Sequence, residues 1–198
     1  MNSAAPRYHH GDLRAAVLRR AEATLRESGV DGLSLRQLAR DLGVSHAAPS
    51  RHFRDRQALL DALALAGFER LATAFAEAAT AGPFPERMHA VARAYLRFAV
   101  DNPALLALMF ARKHSPTASS AMAEAVGRAF AVPIALITEA QARGEVVPGD
   151  PVRIGLSCTA SLQGLAAFVG TGFVGTDTAD ELLSEMITHL MNGLRPRT

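Results

Sequence analysis

The sequence predicts an all-α protein of about nine helices, with a three-helix head at the N-terminus and a larger helical bundle after it. Two observations support this prediction. Ala and Leu supply 63 of the 198 residues, whereas Val and Ile supply 16, and the first pair favours helices while β-branched residues favour strands. In addition, helix-capping residues, glycines and prolines divide the chain into segments whose apolar residues recur at helical spacing.

Four helices are predicted in the first half of the chain. They cover residues 10–28, residues 35–42, a short segment to about residue 53 and a long segment to about residue 81. Ser34 and Gln37 form a capping box before the second helix, and Ser45 and Asp55 are suited to cap the third and the fourth. Gly43 is expected to end the second helix, because glycine adopts the left-handed conformation without steric cost.

Five helices are predicted in the second half. They cover residues 86–100, 104–113, 119–143, 151–170 and a final segment to about residue 193. Asn102 and Asp150 each precede a proline, which is favoured at the first position of a helix. Pro133 is expected to kink the longest of these helices. Thr178 and Glu181 form a second capping box, which predicts the start of the last helix.

Composition excludes several classes of protein. The hydrophobic fraction of 49% supports a packed core, and the charged fraction of 20% is too low for a disordered chain. The longest apolar runs are interrupted before 18 residues, and the N-terminus has no apolar signal segment, so we expect neither a membrane span nor secretion. A single cysteine, Cys158, fits a reducing cytoplasm.

The net charge of +2 is unevenly distributed. Residues 1–56 hold ten arginines against six acidic residues, whereas residues 57–198 hold eleven basic against thirteen acidic residues. A basic head on a mildly acidic body indicates a polyanionic partner for the head alone. Ordinary scatter of surface charge is the alternative that charge by itself leaves open.

Residues 34–53 (SLRQLARDLGVSHAAPSRHF) have the pattern of a helix-turn-helix. Two short predicted helices are joined by a turn that contains Gly43, an arrangement that directs the second helix into the DNA major groove. The first turn of that helix offers groups suited to base edges, namely Ser45, His46, Ala47 and Ala48. Arginines suited to phosphate oxygens surround it, namely Arg36, Arg51, Arg54 and Arg56.

The alternative is a plain helical hairpin with solvated arginines. The basic head favours DNA binding, and so does the segment RYHH at residues 7–10, which is suited to a phosphate or a minor groove. Pro49 argues against a regular second helix, because it lacks the amide that would bond the Ser45 carbonyl. Its ring is expected to fill the contact between the two helices.

At these residues the chain resembles the N-terminal domain of the TetR (tetracycline-repressor) family. The likeness covers about fifty residues, with HGDLR at 10–14, LSLRQLA at 33–39, GVS at 43–45, RHF at 51–53 and the pair Leu59-Leu60. The Ala48-Pro49 pair is similar to one branch of that family. The helical body of about 140 residues that follows has the family's size.

The resemblance implies a homodimeric transcriptional regulator that binds double-stranded operator DNA, commonly a repressor released by a small-molecule ligand. It implies that residues 1–56 form the DNA-binding domain and that residues 57–198 bind the ligand and dimerise. The family's DNA-contacting positions are occupied here by Ser34, Arg36, Ser45, His46, Ala47, Ala48, Ser50, His52 and Arg56. Ser50 stands where a tyrosine is usual, which weakens the phosphate contact expected there.

The helices predicted between residues 86 and 170 are mostly apolar with few polar groups, as a small-molecule pocket requires. Residues expected to line it are Tyr95, Phe98, Met109, Phe130, Ser161 and Gln163. Each is also suited to ordinary core or surface packing. Residues 163–166 (QGLA) resemble a His-Gly motif of related ligand domains, with Gln163 in place of the histidine and Thr159 in place of a usual tryptophan.

The last two long helices are expected to form the homodimer interface. The first contains small residues that allow close approach, including Gly155 and Gly164. The second carries an apolar stripe of Leu183, Met186, Ile187, Leu190 and Met191. The alternative is that this stripe packs only within its own bundle.

No motif predicts a catalytic residue, a metal site or a cofactor. Residues 170–175 (GTGFVG) match GxGxxG, but the dinucleotide motif requires a preceding strand and a βαβ unit. The histidines show no metal-binding spacing beyond the adjacent pair His9-His10. A helical ligand-binding or interaction module without DNA binding is therefore the second hypothesis, suggested by Ser50, and an enzyme using the 170–175 segment is a distant third.

Overall fold

The computed structural model describes residues 10–115 and 118–195. Within them lie nine α-helices and no strand, which confirms the all-α prediction. The helices are α1 (His10–Ser28), α2 (Leu35–Asp41), α3 (Ala47–Ser50), α4 (Arg56–Ala78), α5 (Phe84–Asp101), α6 (Pro103–Lys113), α7 (Ser120–Ala142), α8 (Pro151–Gly170) and α9 (Ala179–Leu194). One 3-10 turn, Val30–Gly32, separates α1 from α2.

The chain forms two compact units. Among the described residues, the first unit comprises residues 10–67, 104–115 and 118, and the second comprises residues 68–103 and 119–195. The helix α4 therefore supplies residues to both units. The segment RYHH lies outside the described residues except for His10, where α1 begins.

The first unit packs α1, α2 and α3 around buried apolar side chains, and α6 joins them. Val17, Leu38 and Phe53 are at most 2% exposed. An ion pair of 2.6 Å between Arg112 Nε and Asp61 Oδ1 ties α6 to α4. The sequence alone did not predict that α6 belongs to this unit.

The second unit is a bundle in which α5 packs against α7, α8 and α9. Two polar contacts reinforce this packing. Arg87 Nη1 lies 3.1 Å from Glu139 Oε2 on α7, and His89 Nε2 lies 3.0 Å from Ser184 Oγ on α9. Because α5 contacts all three neighbours, its buried face helps define any internal cavity of this unit.

Most predicted helix boundaries lie within one turn of the observed ones, since they depend on local capping chemistry. Gly43 has a φ of 66° after the end of α2, as expected of a residue that ends a helix in the left-handed region. Asp55 Oδ1 accepts a hydrogen bond from the Ala58 amide at 2.7 Å, and Asp150 accepts one from Val152 at 2.8 Å. The helix α7 continues through Pro133.

Three capping predictions need correction. The third helix was expected to reach Phe53 with Ser45 as its cap, but α3 ends at Ser50 and its cap position is His46, whose side chain makes no capping bond. Pro49 accounts for the altered start of α3, because it has no amide to donate to the Ser45 carbonyl. The Ala48 amide bonds that carbonyl instead at 2.9 Å.

Both capping boxes are also incomplete. Ser34 accepts from the Gln37 amide at 3.5 Å, but the Gln37 side chain donates to Asp41 rather than returning to Ser34. Thr178 is helical in conformation and its hydroxyl donates to the Gly175 carbonyl, so it provides no cap for α9. In each case a nearby acceptor competes for the side chain.

Candidate nucleic-acid interface and ligand cavity

The turn between α2 and α3 is held by backbone hydrogen bonds and buried apolar residues. The Val44 amide donates to the Ala39 carbonyl at 3.0 Å. Ala39 is fully buried, and Pro49 is buried on α3. A small residue and a compact ring allow the two short helices to pack closely, as the sequence predicts for Pro49. The result is a rigid turn with an exposed outer side.

The residues expected to contact bases lie on that outer side. Ser45, His46 and Ala47 are exposed, and Ala48 is half-buried. Since the His46 side chain makes no capping bond, its imidazole is available to a partner. Ser50, on the same short helix, is also exposed.

Two arginines beside this turn have no partner within the described residues. Arg36, in the first turn of α2, and Arg51, directly after α3, are exposed and make neither an ion pair nor a side-chain hydrogen bond there. Ser34, directly before α2, is exposed, and His52, directly after Arg51, is half-buried. Exposed guanidinium groups that have no partner in the described part of the chain are suited to phosphate oxygens.

Arg56 has a different environment. Its Nε donates to the Leu33 carbonyl at 2.9 Å and its Nη2 to the Val30 carbonyl at 2.6 Å. Asp31 lies 3.8 Å from the same guanidinium. The phosphate contact expected of Arg56 therefore competes with a structural role, in which Arg56 anchors the segment before α2 to the start of α4.

Asp41, the last residue of α2, is neutralised from α1. Arg20 Nε lies 2.9 Å from Asp41 Oδ2, and the Gln37 side chain donates to Oδ1 at 2.6 Å. These hydrogen bonds, Arg20 first, lower the pKa of Asp41. Bound in this way, Asp41 opposes an approaching polyanion less than a bare carboxylate does.

The second unit contains an internal cavity of about 30 Å³. Helices α4, α5, α7, α8 and α9 all contribute to its wall. The lining residues are Phe75, Met88, Val91, Ala92, Tyr95, Phe130, Pro133, Ile137, Gly155, Cys158, Thr159, Leu162, Ile187 and Met191. A cavity of this size holds no more than a few water molecules, so it must expand to hold a larger ligand.

The residues predicted to line a ligand pocket divide into two groups. Tyr95 and Phe130 line this cavity, and Gln163 is close to the Tyr95 hydroxyl. The other three lie elsewhere: the Phe98 ring lies beneath Arg70, the Ser161 hydroxyl bonds the Ser157 carbonyl, and Met109 is buried in the first unit. A Cβ added to Gly67 would meet Met109 Sδ.

Most of the lining residues were not predicted from the sequence, although their spacing is visible in it. On α5 the lining residues Met88, Ala92 and Tyr95 recur at helical spacing, and on α8 Gly155, Thr159 and Leu162 do the same. This spacing marks one face of each helix. Core residues share it, so the pattern alone does not distinguish a cavity from solid packing.

Tyr95 is the most unusual residue of the cavity. It is 1% exposed, and its hydroxyl makes no hydrogen bond within the described residues. Burial raises the pKa of Tyr95 to about 12, and the nearby Gln163 side chain opposes this shift without completing a well-formed hydrogen bond. A buried hydroxyl without a partner is costly and is usually satisfied in the functional state.

An open groove of about 980 Å³ adjoins the cavity. It runs between the start of α5, the end of α7 and α9, and it shares Ile187 and Met191 with the cavity lining. His89 lies at its wall, and burial lowers the pKa of this histidine. Because the Ser184 hydroxyl donates to the Asp180 carbonyl, it accepts its second hydrogen bond from His89 Nε2.

The apolar residues expected at a dimer interface are distributed differently from the prediction. Leu183 and Ile187 are buried within the bundle, as in the alternative interpretation, and Gly155 faces Ile137 of α7. The exposed apolar surface instead follows α8 at four-residue spacing. Its members, which we call the α8 stripe, are Val152, Leu156, Ala160, Gly164 and Phe168.

The GxGxxG segment at residues 170–175 does not have the surroundings of a dinucleotide site. It forms the end of α8 and the loop that follows, so a helix rather than a strand precedes it. Within the described residues, no cluster of three metal-binding side chains is found. By length and composition alone, α7 and α8 are apolar enough to cross a membrane, a test that core helices of other proteins also pass.

Comparisons with known proteins agree with this architecture. A tetracycline repressor protein (class A) from Escherichia coli is 56% identical over 48 residues, which cover 24% of this chain and 22% of that repressor. The matched segment thus spans about a fifth of its relative. A protein of unknown function from Rhodococcus sp. RHA1 is 46% identical, with a TM-score of 0.89, over 97% of this chain and all of that one.

A bacterial regulatory protein of the tetR family from Rhodococcus RHA1 shares the fold, with a TM-score of 0.73 at 19% identity, over 93% of this chain and 98% of that one. Two family descriptions match in sequence. Bacterial regulatory proteins of the tetR family match residues 17–63, and the tetracyclin repressor-like C-terminal domain matches residues 88–190. Together these matches cover the helix-turn-helix and most of the cavity-bearing bundle, and the chain belongs to the TetR family of bacterial regulatory proteins.

Proposed function

We propose that this protein is a cytoplasmic, homodimeric transcriptional regulator. In this proposal residues 1–56 bind double-stranded operator DNA, and residues 57–198 bind a small molecule and dimerise. The expected output is repression that the small molecule relieves, as the name of the tetracycline repressor relative suggests. The proposal needs no catalytic residue, metal or cofactor.

The observation that carries the DNA-binding proposal is the exposed surface around α3. Ser45 and His46 project groups able to contact base edges, while Arg36 and Arg51 flank them in sequence without partners in the described part of the chain. We assign base contact to Ser45, His46, Ala47 and Ala48, and backbone contact to Ser34, Arg36, Ser50, His52 and Arg56. Arg51, which the sequence already marks as suited to phosphate oxygens, joins the backbone group.

The homodimer proposal is supported by the α8 stripe. An exposed apolar stripe along a long helix indicates a protein interface. Gly164 has no neighbour within 4 Å of an added Cβ, so the backbone there is open to close approach by a second copy. Leu182 of α9 is exposed as well. These features support a homodimer interface on the last two helices.

Control by a small molecule is supported by the helix α4. This helix begins at Arg56, whose side chain anchors the segment before α2, and its residue Phe75 lines the cavity. We propose that a ligand which expands the cavity displaces Phe75 and that α4 carries this displacement to the head. The ligand binds the displaced state of α4 more tightly than the undisplaced state. The affinity for DNA falls by at most the ratio of these two ligand affinities.

The experiment is a band-shift titration with the full chain and DNA flanking its own gene, over a range of salt concentrations. Arg51→Ala should weaken binding to all sequences and reduce the slope of log affinity against log salt by about one. His46→Ala should change the sequence preference with little change in slope. Arg97→Ala, an exposed arginine of the second unit, is the matched control and should change neither.

Absence of specific, salt-sensitive binding would contradict the proposal and favour a helical ligand-binding module without DNA binding. Equal effects of Arg51→Ala and His46→Ala would contradict the division between backbone and base contacts. An effect of Arg97→Ala as large as that of Arg51→Ala would show that net charge, rather than the α3 surface, determines affinity.

A further inference from the structure

The wall of the internal cavity has a distinctive chemistry. None of its described lining residues carries a charged side chain, and three of them have polar side-chain atoms: Tyr95, Cys158 and Thr159. A bound ion would therefore lose its hydration without gaining a counter-charge, which is strongly unfavourable. The wall thus selects against charged molecules.

The three polar groups differ in what they still offer a ligand. The Thr159 hydroxyl donates to the Gly155 carbonyl at 2.9 Å, and the Cys158 thiol is a weak donor whose pKa is raised by burial. The Tyr95 hydroxyl has no hydrogen-bond partner in the described residues. Tyr95 therefore holds the one strong donor of the lining that is not already used.

We propose that the ligand of this cavity is a neutral, mostly apolar molecule with one hydrogen-bond acceptor, which accepts the O–H of Tyr95. This inference rests on the proposed function, since it names the chemical class of the molecule that acts on the regulator. Phe75 and Phe130, whose ring centroids are 6.1 Å apart in an edge-on arrangement, favour a ligand with an aromatic ring.

The adaptable part of the wall lies between the cavity and the outer groove. Met191 and Ile187 line both spaces, and Met88 lines the cavity beside them. Methionine is unbranched and changes conformation at low cost. In this proposal, rotation of Met191 opens the groove to the cavity, and the ligand reaches Tyr95 by that route.

The test is calorimetric titration of the full chain, without DNA, using three probes of similar shape. Acetophenone is neutral and has a carbonyl acceptor, α-methylstyrene replaces that carbonyl by an alkene, and benzoate is anionic. We expect saturable binding of acetophenone, about tenfold weaker binding of α-methylstyrene because it cannot accept from Tyr95, and binding of benzoate weaker by roughly a hundredfold.

Three variants locate the site. Tyr95→Phe should bind acetophenone and α-methylstyrene about equally, because the donor is lost while the apolar wall remains. Gly155→Ala places a methyl group 3.6 Å from Ile137 Cδ1 and should weaken acetophenone several-fold by narrowing the cavity. Gly127→Ala is the matched control, because its added Cβ meets no described atom within 4 Å beyond its own helix and chain neighbours, and it should leave binding unchanged.

The inference is overturned if acetophenone does not bind saturably, if benzoate binds as tightly, or if Tyr95→Phe keeps the preference for acetophenone. The band-shift titration distinguishes this failure from failure of the proposed function. DNA binding without binding of acetophenone contradicts the ligand class alone. Binding of acetophenone through Tyr95 without DNA binding contradicts the regulator function and keeps the ligand chemistry.

Discussion

Replacing Tyr95 by phenylalanine should stabilise the protein without ligand. Tyr95 is 1% exposed and its hydroxyl has no hydrogen-bond partner in the described residues. In the unfolded chain that hydroxyl bonds to water, so folding loses a hydrogen bond without replacing it. Tyr95→Phe removes this loss and keeps the aromatic ring, including its contact with Phe75 at 6.4 Å between centroids.

The magnitude follows from two opposing contributions. Burial of an unpaired polar group costs about 1–3 kcal/mol. Removing the hydroxyl leaves roughly 15 Å³ of additional space, which costs about 0.4 kcal/mol at ~24 cal/mol per Å³. The free energy of unfolding should therefore rise by about 1–2 kcal/mol, which corresponds to a rise in Tm of roughly 2–8 °C for a chain of this size.

Thermal and urea denaturation followed by circular dichroism measure this change. Thr159→Val is the matched control, because it removes a hydroxyl from the same cavity that already has a partner at 2.9 Å. It should be neutral or slightly destabilising. A loss of more than 1 kcal/mol in Tyr95→Phe would refute the reasoning, since it would show that the hydroxyl is satisfied when the protein is folded.

Three further predictions concern pH, the head and the dimer. The pKa of Tyr95 is about 12 in the folded protein, compared with 10 for an ordinary tyrosine. The unfolded chain therefore loses this proton at lower pH than the folded protein does, so the free energy of unfolding should fall between pH 10 and pH 12. Urea titrations at alkaline pH measure this fall, and Tyr95→Phe should remove it. Arg56→Ala should lower the free energy of unfolding by about 1–2 kcal/mol through loss of its bonds to the Leu33 and Val30 carbonyls, and unchanged melting with a reduced salt slope would instead make Arg56 a phosphate contact. Leu156→Asp places a charge in the α8 stripe and should convert a dimer to a monomer, as measured by sedimentation velocity. Ala131→Asp, on the exposed side of α7, is the control and should leave the dimer intact. A dimeric Leu156→Asp protein would exclude this stripe as the interface.

Local chemistry made the helix boundaries predictable. A glycine at positive φ after α2 and acidic caps before α4 and α8 act within a few residues. Where a second local partner was available, the prediction was wrong: the Thr178 hydroxyl donates to Gly175 instead of capping α9. Such competition depends on backbone geometry that residue types alone do not specify.

The candidate sites were predictable to different degrees. The surface around α3 lies within one short segment, so its exposed residues were identified from spacing, as in Ser45 and His46. The cavity is assembled from five helices, and its residues share their pattern with ordinary core. Met109 illustrates the difficulty, because it is apolar and correctly spaced but packs against Gly67 in the first unit.

The sequence by itself determined the all-α class, the order of the helices and the turn beside Gly43, because helix propensity, capping and apolar spacing operate over a few residues. Only the tertiary structure decided which helical faces meet. It directed the Arg56 guanidinium to carbonyls 23 and 26 residues away, buried the Tyr95 hydroxyl without a hydrogen-bond partner among the residues that the structure describes, and left the α8 stripe exposed. The physical reason is that apolar burial is not directional, so an apolar face packs against any complementary face, and the choice among them depends on long-range packing of the whole chain.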